Sequence, residues 1–351
     1  MRNLIMPLLA AGVTALSTAP VYADLGDQLF KLLPNDGAAG DYFASSVGIS
    51  GETAIVGAYS NDDNGDFSGS AYLFDTATGE QIAKLLPDDG AEGDFFGISV
   101  AVSGATAIVG AYADDDNGTN SGAAYLFDAT TGAQIAKLLP DDGAAYDFFG
   151  ISVAISGTTA IVGADGVDDN GFVSGAAYLF DTTTGQQIAK LLPNFGVALD
   201  YFGSSVAISG NTAIVGAFRN DNNGTDSGYA YFFDTTTGSQ TAYFYPNDAA
   251  PSDLFGNAVA ISPPPRATAI VGAVWDDDNG DDSGSAYLFA AATPGMCPWD
   301  LDGTGTVGIL DLLALLAAWG SNPGGPPDFD GDGTVGILDL LALLANWGSC
   351  P

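Results

Sequence analysis

The sequence predicts a mainly β fold: a five-bladed β-propeller of 53-residue, four-stranded repeats, joined to a small all-α domain at its C-terminal end. Three observations carry this reading. The strings KLLPND, KLLPDD, KLLPDD, KLLPNF and YFYPND begin at Lys31, Lys84, Lys137, Lys190 and Tyr243, one every 53 residues. Each unit holds four short runs of valine, isoleucine and aromatic residues punctuated by Gly, Asn and Asp, the pattern of short antiparallel strands and turns. After Pro294 that period stops, and two copies of an acidic loop followed by a leucine-rich segment appear 28 residues apart. The domains are therefore 24–292 and 293–351, with a Pro/Gly-rich linker at 322–327.

The first strand of each unit reads SVGIS, SVAVS, SVAIS, SVAIS and AVAIS, at 46–50, 99–103, 152–156, 205–209 and 258–262. The second is TAIVGA, starting at Thr53, Thr106, Thr159, Thr212 and Thr268, and the third is AYLF or AYFF. The fourth is QIAKLLP or a variant, ending at Pro34, Pro87, Pro140, Pro193 and Pro246. Ser-Gly turns join the first two strands, and longer acidic loops containing Asn-Gly join the second and third. The chain opens on a fourth-strand segment, Gln28 to Pro34, and leaves the fifth unit after a third strand ending at Phe289. The N-terminal strand is thus expected to complete the last blade and close the ring, which would remove exposed sheet edges. An open array, or closure with a second chain, is the other arrangement compatible with the pattern.

Arg2, an apolar run from Leu4 to Leu16 and the small-x-small site Val21-Tyr22-Ala23 read as a secretory signal peptide, 1–23. The expected location is secreted or cell-surface, with no membrane span. Forty-three acidic residues stand against 7 basic ones, a balance that repels nucleic acid and attracts divalent cations. Cys297 and Cys350 bracket one segment of an exported chain and read as a disulfide, with free thiols or a bond to another chain as alternatives. The sequence has no histidine, which removes Ser-His-Asp and Cys-His catalysis and the usual zinc sites.

The stretches Phe96-Gly97, Phe149-Gly150, Phe202-Gly203 and Phe255-Gly256, each followed by a first strand, and the Gly-Ala that ends each second strand, resemble FG-GAP repeats. These are the propeller blades of integrin α-subunits and many exported bacterial proteins, and the resemblance covers about 24–290. The first copy departs from it, with Phe43-Ala44. In that family the loop between second and third strands often holds calcium through D-x-D-x-[DN]-G. Here the glycines Gly65, Gly118, Gly171, Gly224 and Gly280 take position six. Weak metal sites would then use Asp62 and Asn64, Asp115 and Asn117, Asp168 and Asn170, Asp221 and Asn223, and Asp277 and Asn279. Position one is Ser60, Ala113, Gly166, Arg219 or Trp275, so no copy carries an acid there, and Asn-Gly turns with solvated aspartates are the alternative. Ser68, Ser121, Ser174, Ser227 and Ser283 fit either reading. Asp41, Asp94, Asp147, Asp200 and Asp253, just before the Phe-Gly, are expected to cap a turn.

In the C-terminal region, carboxylates at positions one, three, five and twelve converge on a cation only if the chain turns sharply at six, which needs glycine. Gly305 and Gly333 sit at six. The first loop offers Asp300, Asp302, Thr304, the carbonyl of Thr306, and Asp311. The second offers Asp328, Asp330, Asp332, the carbonyl of Thr334, and Asp339, so it is expected to bind Ca2+ more tightly. The pair resembles a dockerin, the duplicated calcium-loop domain of cellulosomal proteins, across roughly 297–351. That resemblance implies a cohesin-like partner met at loop positions ten and eleven, Ile309, Leu310, Ile337 and Leu338. Independently, Ile309–Trp319 and Ile337–Trp347 are apolar around most of the helix circumference, which marks an interaction surface or packing on the propeller.

The function expected is a secreted, non-enzymatic, calcium-binding adhesion or scaffold protein, with glycan or protein ligands on the propeller loops. The alternative is a carbohydrate-active enzyme or an accessory protein in polysaccharide degradation. An enzyme would need symmetry-breaking carboxylates at the ring centre, whereas the inner strands carry none and Tyr146, Phe195, Arg219, Arg266 and Trp275 break symmetry as aromatics or bases. A structural surface-layer protein is the third class.

Overall fold

The computed structural model describes residues 28–263, 267–291, 299, 301, 306–320, 327, 334–345 and 347–349. The chain divides after Lys31 into two compact units. Of the first, only 28–31 are described, and none of these is in a strand. The signal segment 1–23 lies outside the described residues.

The second unit is dominated by five antiparallel sheets, each in simple sequence order. The first blade is Val47–Ser50, Thr53–Ala58, Ser70–Asp75 and Gln81–Leu85. The second is Val100–Ser103, Thr106–Ala111, Ala123–Asp128 and Gln134–Leu138. The third is Ser152–Ser156, Thr159–Ala164, Ala176–Asp181 and Gln187–Leu191, and the fourth is Phe202–Ser209, Thr212–Ala217, Tyr229–Asp234 and Gln240–Phe244. The fifth has three strands among the described residues: Phe255–Ile261, Thr268–Ala273 and Ser285–Ala290.

In the second and third blades the second and third strands are buried on both faces, because each of those sheets is covered by a neighbour on both sides. One core cluster joins Ile55, Leu73 and Leu85 of the first blade to Phe96, Val100, Val102, Tyr125 and Phe127 of the second. The Phe of the Phe-Gly turn fills the centre of its own blade. Phe96 meets Tyr125 and Phe127 edge-on at 5.5 and 5.8 Å, and Phe149, Phe202 and Phe255 repeat this. Serines tie first strands together: Ser46 Oγ accepts the Val100 N–H and Ser50 Oγ the Gly104 N–H.

Two expectations need correction. Gln28–Pro34 is not a strand, and the fifth sheet keeps three strands among the described residues, so the expected closing strand is not formed. Among the described residues the end blades stay open. Val47 and Ile49 are 67% and 71% exposed, where Val100 and Val102 of the second blade are buried. At the other end Ile270 and Leu288 are 44% and 72% exposed, where Ile55 and Leu73 are fully buried. The C-terminal region holds two short helices, Ile309–Ala317 and Ile337–Ala345, and a two-residue pairing of Thr306–Val307 with Gly348–Ser349. Val307, Leu315, Val335 and Leu343 form its core. Cys297, Cys350 and the linker 322–326 lie outside the described residues.

Candidate functional site

The blade loops are built on their own aspartates. The position-three carboxylate reaches across the loop to a backbone N–H five residues on: Asp62 to Phe67 (2.9 Å), Asp115 to Asn120 (2.7 Å), Asp168 to Val173 (2.6 Å), Asp221 to Asp226 (2.7 Å) and Asp277 to Asp282 (2.7 Å). The residue it holds sits in the left-handed region every time, with φ between 51° at Asn120 and 58° at Phe67. Val173, β-branched, is the least suited to that backbone, and the carboxylate bond offsets its strain. The position-six glycine turns the chain at φ +120° to +135°. The loop serines act as turn residues: Ser68 Oγ donates to the Asn61 carbonyl and accepts the Asn64 N–H, Ser121, Ser174 and Ser283 repeat both bonds, and Ser227 repeats the donation, to the Asn220 carbonyl.

The aspartate before each Phe-Gly does cap a turn. Asp41, Asp94, Asp147, Asp200 and Asp253 are buried, and each accepts the N–H of the residue three before it at 2.6–2.9 Å. Burial pushes the Asp94 carboxyl up to about 6, and raises Asp147, Asp200 and Asp253 for the same reason.

Three blades share a charged cluster that sequence reasoning missed. Lys84 pairs with Asp36 at 2.6 Å and with Asp63, and its ammonium lies 5.3 Å over the Tyr72 ring, whose hydroxyl donates to Asp36. Lys137 and Lys190 repeat the arrangement. The fourth blade replaces it: Tyr243 stands for the lysine, Phe195 and Asn222 for the two aspartates. These three residues line an open pocket with Tyr229 and Tyr231. Tyr229 lies 6.0 Å from Tyr243 and 4.9 Å from Tyr245, so the pocket has aromatic walls where its sisters have an ion pair. The signal was present in KLLPNF and YFYPND, the two strings that break the repeat.

A second aromatic feature crosses blades. Tyr42, Tyr59, Phe95, Tyr112 and Phe148 form a chain of rings 5.3–6.1 Å apart, with exposed Phe67 and Tyr146 beside it. Beyond a gap, Tyr201 and Phe218 stack under the Arg219 guanidinium. The gap is Asp165, which occupies the repeat position of Tyr59, Tyr112 and Phe218. Burial pushes its carboxyl up to about 6. It is a symmetry-breaking carboxylate just past the end of a second strand, outside the inner strands. Arg266 lies outside the described residues.

In the C-terminal region Asp300, Asp302, Thr304, Asp328, Asp330 and Asp332 lie outside the described residues. Thr306 and Thr334 are exposed, and the position-twelve carboxylates Asp311 and Asp339 are 0% and 1% exposed. Asp311 accepts the Gly308 N–H and the Leu301 N–H, both at 2.6 Å, so it caps its helix and reaches back to the start of its own loop. Asp339 accepts the Gly336 N–H at 2.7 Å. A buried carboxylate at the end of each loop fits a hard divalent cation, which takes carboxylate oxygens as ligands and would compensate a buried negative charge. Ile309, Leu310, Ile337 and Leu338 are all exposed, as are Leu313, Leu316, Leu341 and Leu344.

A family model described as FG-GAP repeat matches the chain five times, over residues 27–74, 80–127, 133–180, 186–233 and 239–289. No curated protein matches it.

Proposed function

On the premise that the chain belongs to the FG-GAP repeat family, we propose that it is a secreted or cell-surface, non-enzymatic, calcium-binding adhesion or scaffold protein. Its blades present ligand-binding surfaces, and its dockerin-like C-terminal module attaches it to a cohesin-like partner. The observation that carries this reading is duplicated: above each buried, helix-capping carboxylate stands an exposed face of isoleucine and leucine, the same in both copies. Ca2+ would be held by Asp300, Asp302, Thr304, Thr306 and Asp311, and by Asp328, Asp330, Asp332, Thr334 and Asp339. Bound, it supplies the positive charge that draws each loop closed. The chain's own groups do the rest: the sequence supplies glycine at six, which such a turn requires, and the position-twelve carboxylate caps the helix that follows the loop. Ile309, Leu310, Ile337 and Leu338 then meet the partner. The fourth-blade aromatic pocket and the row of rings support ligand contact on the propeller.

Calcium titration of the full chain, followed by calorimetry and by helix content, tests this reading. Binding with a gain in helix is expected, and no heat and no helix change would remove it. The enzyme reading has one observation in its favour, the raised carboxyl of Asp165 at the repeat position that Tyr59, Tyr112 and Phe218 hold in other blades. New reducing ends from a polysaccharide panel, lost in Asp165→Asn, would establish that reading over the scaffold one.

A further inference from the structure

The four joints between successive blades are copies of one another. In the first, the Phe96 N–H donates to the Ser68 carbonyl at 3.0 Å, and the three later joints give 3.0–3.1 Å. Glycines make the contact. A Cβ on Gly57 would collide with the Gly97 carbonyl oxygen, and a Cβ on Gly97 would collide with that of Ser70. Val100 and Val102 complete the joint by packing with Ile55 and Leu73.

The fifth blade carries the same receiving face with nothing in it among the described residues. The nearest atoms to a Cβ on Gly272 and on Gly284 are the Ala258 Cβ at 3.7 Å and the Val274 carbonyl oxygen at 3.1 Å, both from the blade itself. No N–H of the described residues reaches the Ser283 carbonyl, the counterpart of Ser68. Gly272, Gly284, Ser285 and Ala286 line an open groove, and Ile270 and Leu288 stand exposed beside it. The first blade has the complementary apolar strand, with Val47 and Ile49 exposed, but it lacks the glycine. Ala44 takes that place at φ +74°. A methyl group there collides with a backbone carbonyl in all four internal joints.

We propose that the open face of the fifth blade is a docking site for the Phe-Gly turn and first strand of a blade on another protein, and that Ala44 keeps this chain's own first blade out of it. The ligand is defined by the joint it would continue. It offers a Phe N–H to the Ser283 carbonyl, a left-handed glycine against the Ser285 carbonyl, and a Val-x-Ile strand over Ile270 and Leu288. Because the joint is made of backbone contact at glycine, any residue with a Cβ at that position is rejected.

The probe is a fluorescein-labelled peptide covering residues 90–104, added to the full chain and followed by anisotropy. Saturable binding is expected, weakened by about tenfold or more when the peptide carries Gly97→Ala or the protein carries Leu288→Lys. No saturable binding, or equal binding of the alanine peptide, overturns the site. Sedimentation velocity tests Ala44. The unsubstituted chain is expected to stay monomeric. Ala44→Gly is expected either to associate in trans or to lose the peptide because its own first blade now fills the groove. Self-association of the unsubstituted chain that Leu288→Lys abolishes, or an Ala44→Gly chain unchanged in both mass and peptide binding, overturns the role of Ala44.

Discussion

Two sets of acidic, glycine-punctuated loops occur in this chain, and their aspartates are held differently. In the blade loops the third-position carboxylate is turned inward on its own loop, as in Asp168, whose oxygen accepts the Val173 N–H at 2.6 Å. In the C-terminal region the buried carboxylate comes at the end of the loop and caps the helix that follows, as Asp339 does for Gly336. The letters are similar, but the available donors differ. A blade loop returns to a strand and leaves a strained N–H to be satisfied, whereas a C-terminal loop runs into a helix whose first N–H groups need an acceptor. An acidic loop is therefore read by where its backbone donors lie as much as by its carboxylate count.

The comparison can be broken most easily at the cation. Asp330→Ala with Asp332→Ala is expected to weaken calcium binding by the second C-terminal loop by about a hundredfold, read by calorimetry, since affinity follows ligand charge. The matching change in the blade loops, Asp168→Ala in the third blade with Asp221→Ala in the fourth, is expected to leave calcium binding as it is. A comparable loss there would make the blade loops metal sites and erase the distinction. Asp339→Asn sharpens it: the amide oxygen still caps Gly336, so the metal-free helix content equals that of the unsubstituted chain while calcium affinity falls by about tenfold.

Stability gives a smaller, pH-dependent signal. The Asp94 carboxyl has its ordinary value of 3.8 in the unfolded chain and about 6 in the folded one, so between these limits the folded state holds the extra proton. Stability from Asp94 is therefore full below about pH 4 and is lost as pH rises to about 6, on the order of 2 kcal/mol. Denaturant melts across that window are expected to show the fall, and Asp94→Asn to flatten it. Asp147, Asp200 and Asp253 act in the same direction. The smallest effect expected is on the single loop: Asp168→Ala alone costs about 1 kcal/mol of unfolding free energy by leaving the Val173 N–H without its acceptor.

Most strands were legible because their signal is local. Alternation in SVAIS, the unbroken apolar run of TAIVGA and the Ser-Gly and Asn-Gly turns each report on the few residues that form them. The turn-capping role of Asp94 was legible for the same reason, since its donor Ala91 is three residues away. The Lys–Asp–Tyr cluster was not. Lys84 and Asp36 are 48 residues apart and meet only in the folded chain, where the fourth strand sets Lys84 beside Tyr72 and Asp36 bonds to both. The aromatic pocket of the fourth blade is invisible until the charged cluster it replaces has been seen.

By itself the sequence determined the number of repeats, the strand order within each blade, the Phe-Gly and Gly-Ala positions, and the duplicated loop-helix pattern at the C-terminal end. Each depends on interactions within a few residues or on identity between copies. Tertiary structure alone decided that Gln28–Pro34 is not a strand, that both end faces stay open among the described residues, and that the position Ala44 occupies is one where every internal joint needs glycine. Those outcomes turn on contacts between blades, where a single methyl group against a backbone carbonyl outweighs the local preferences that make the strands alike.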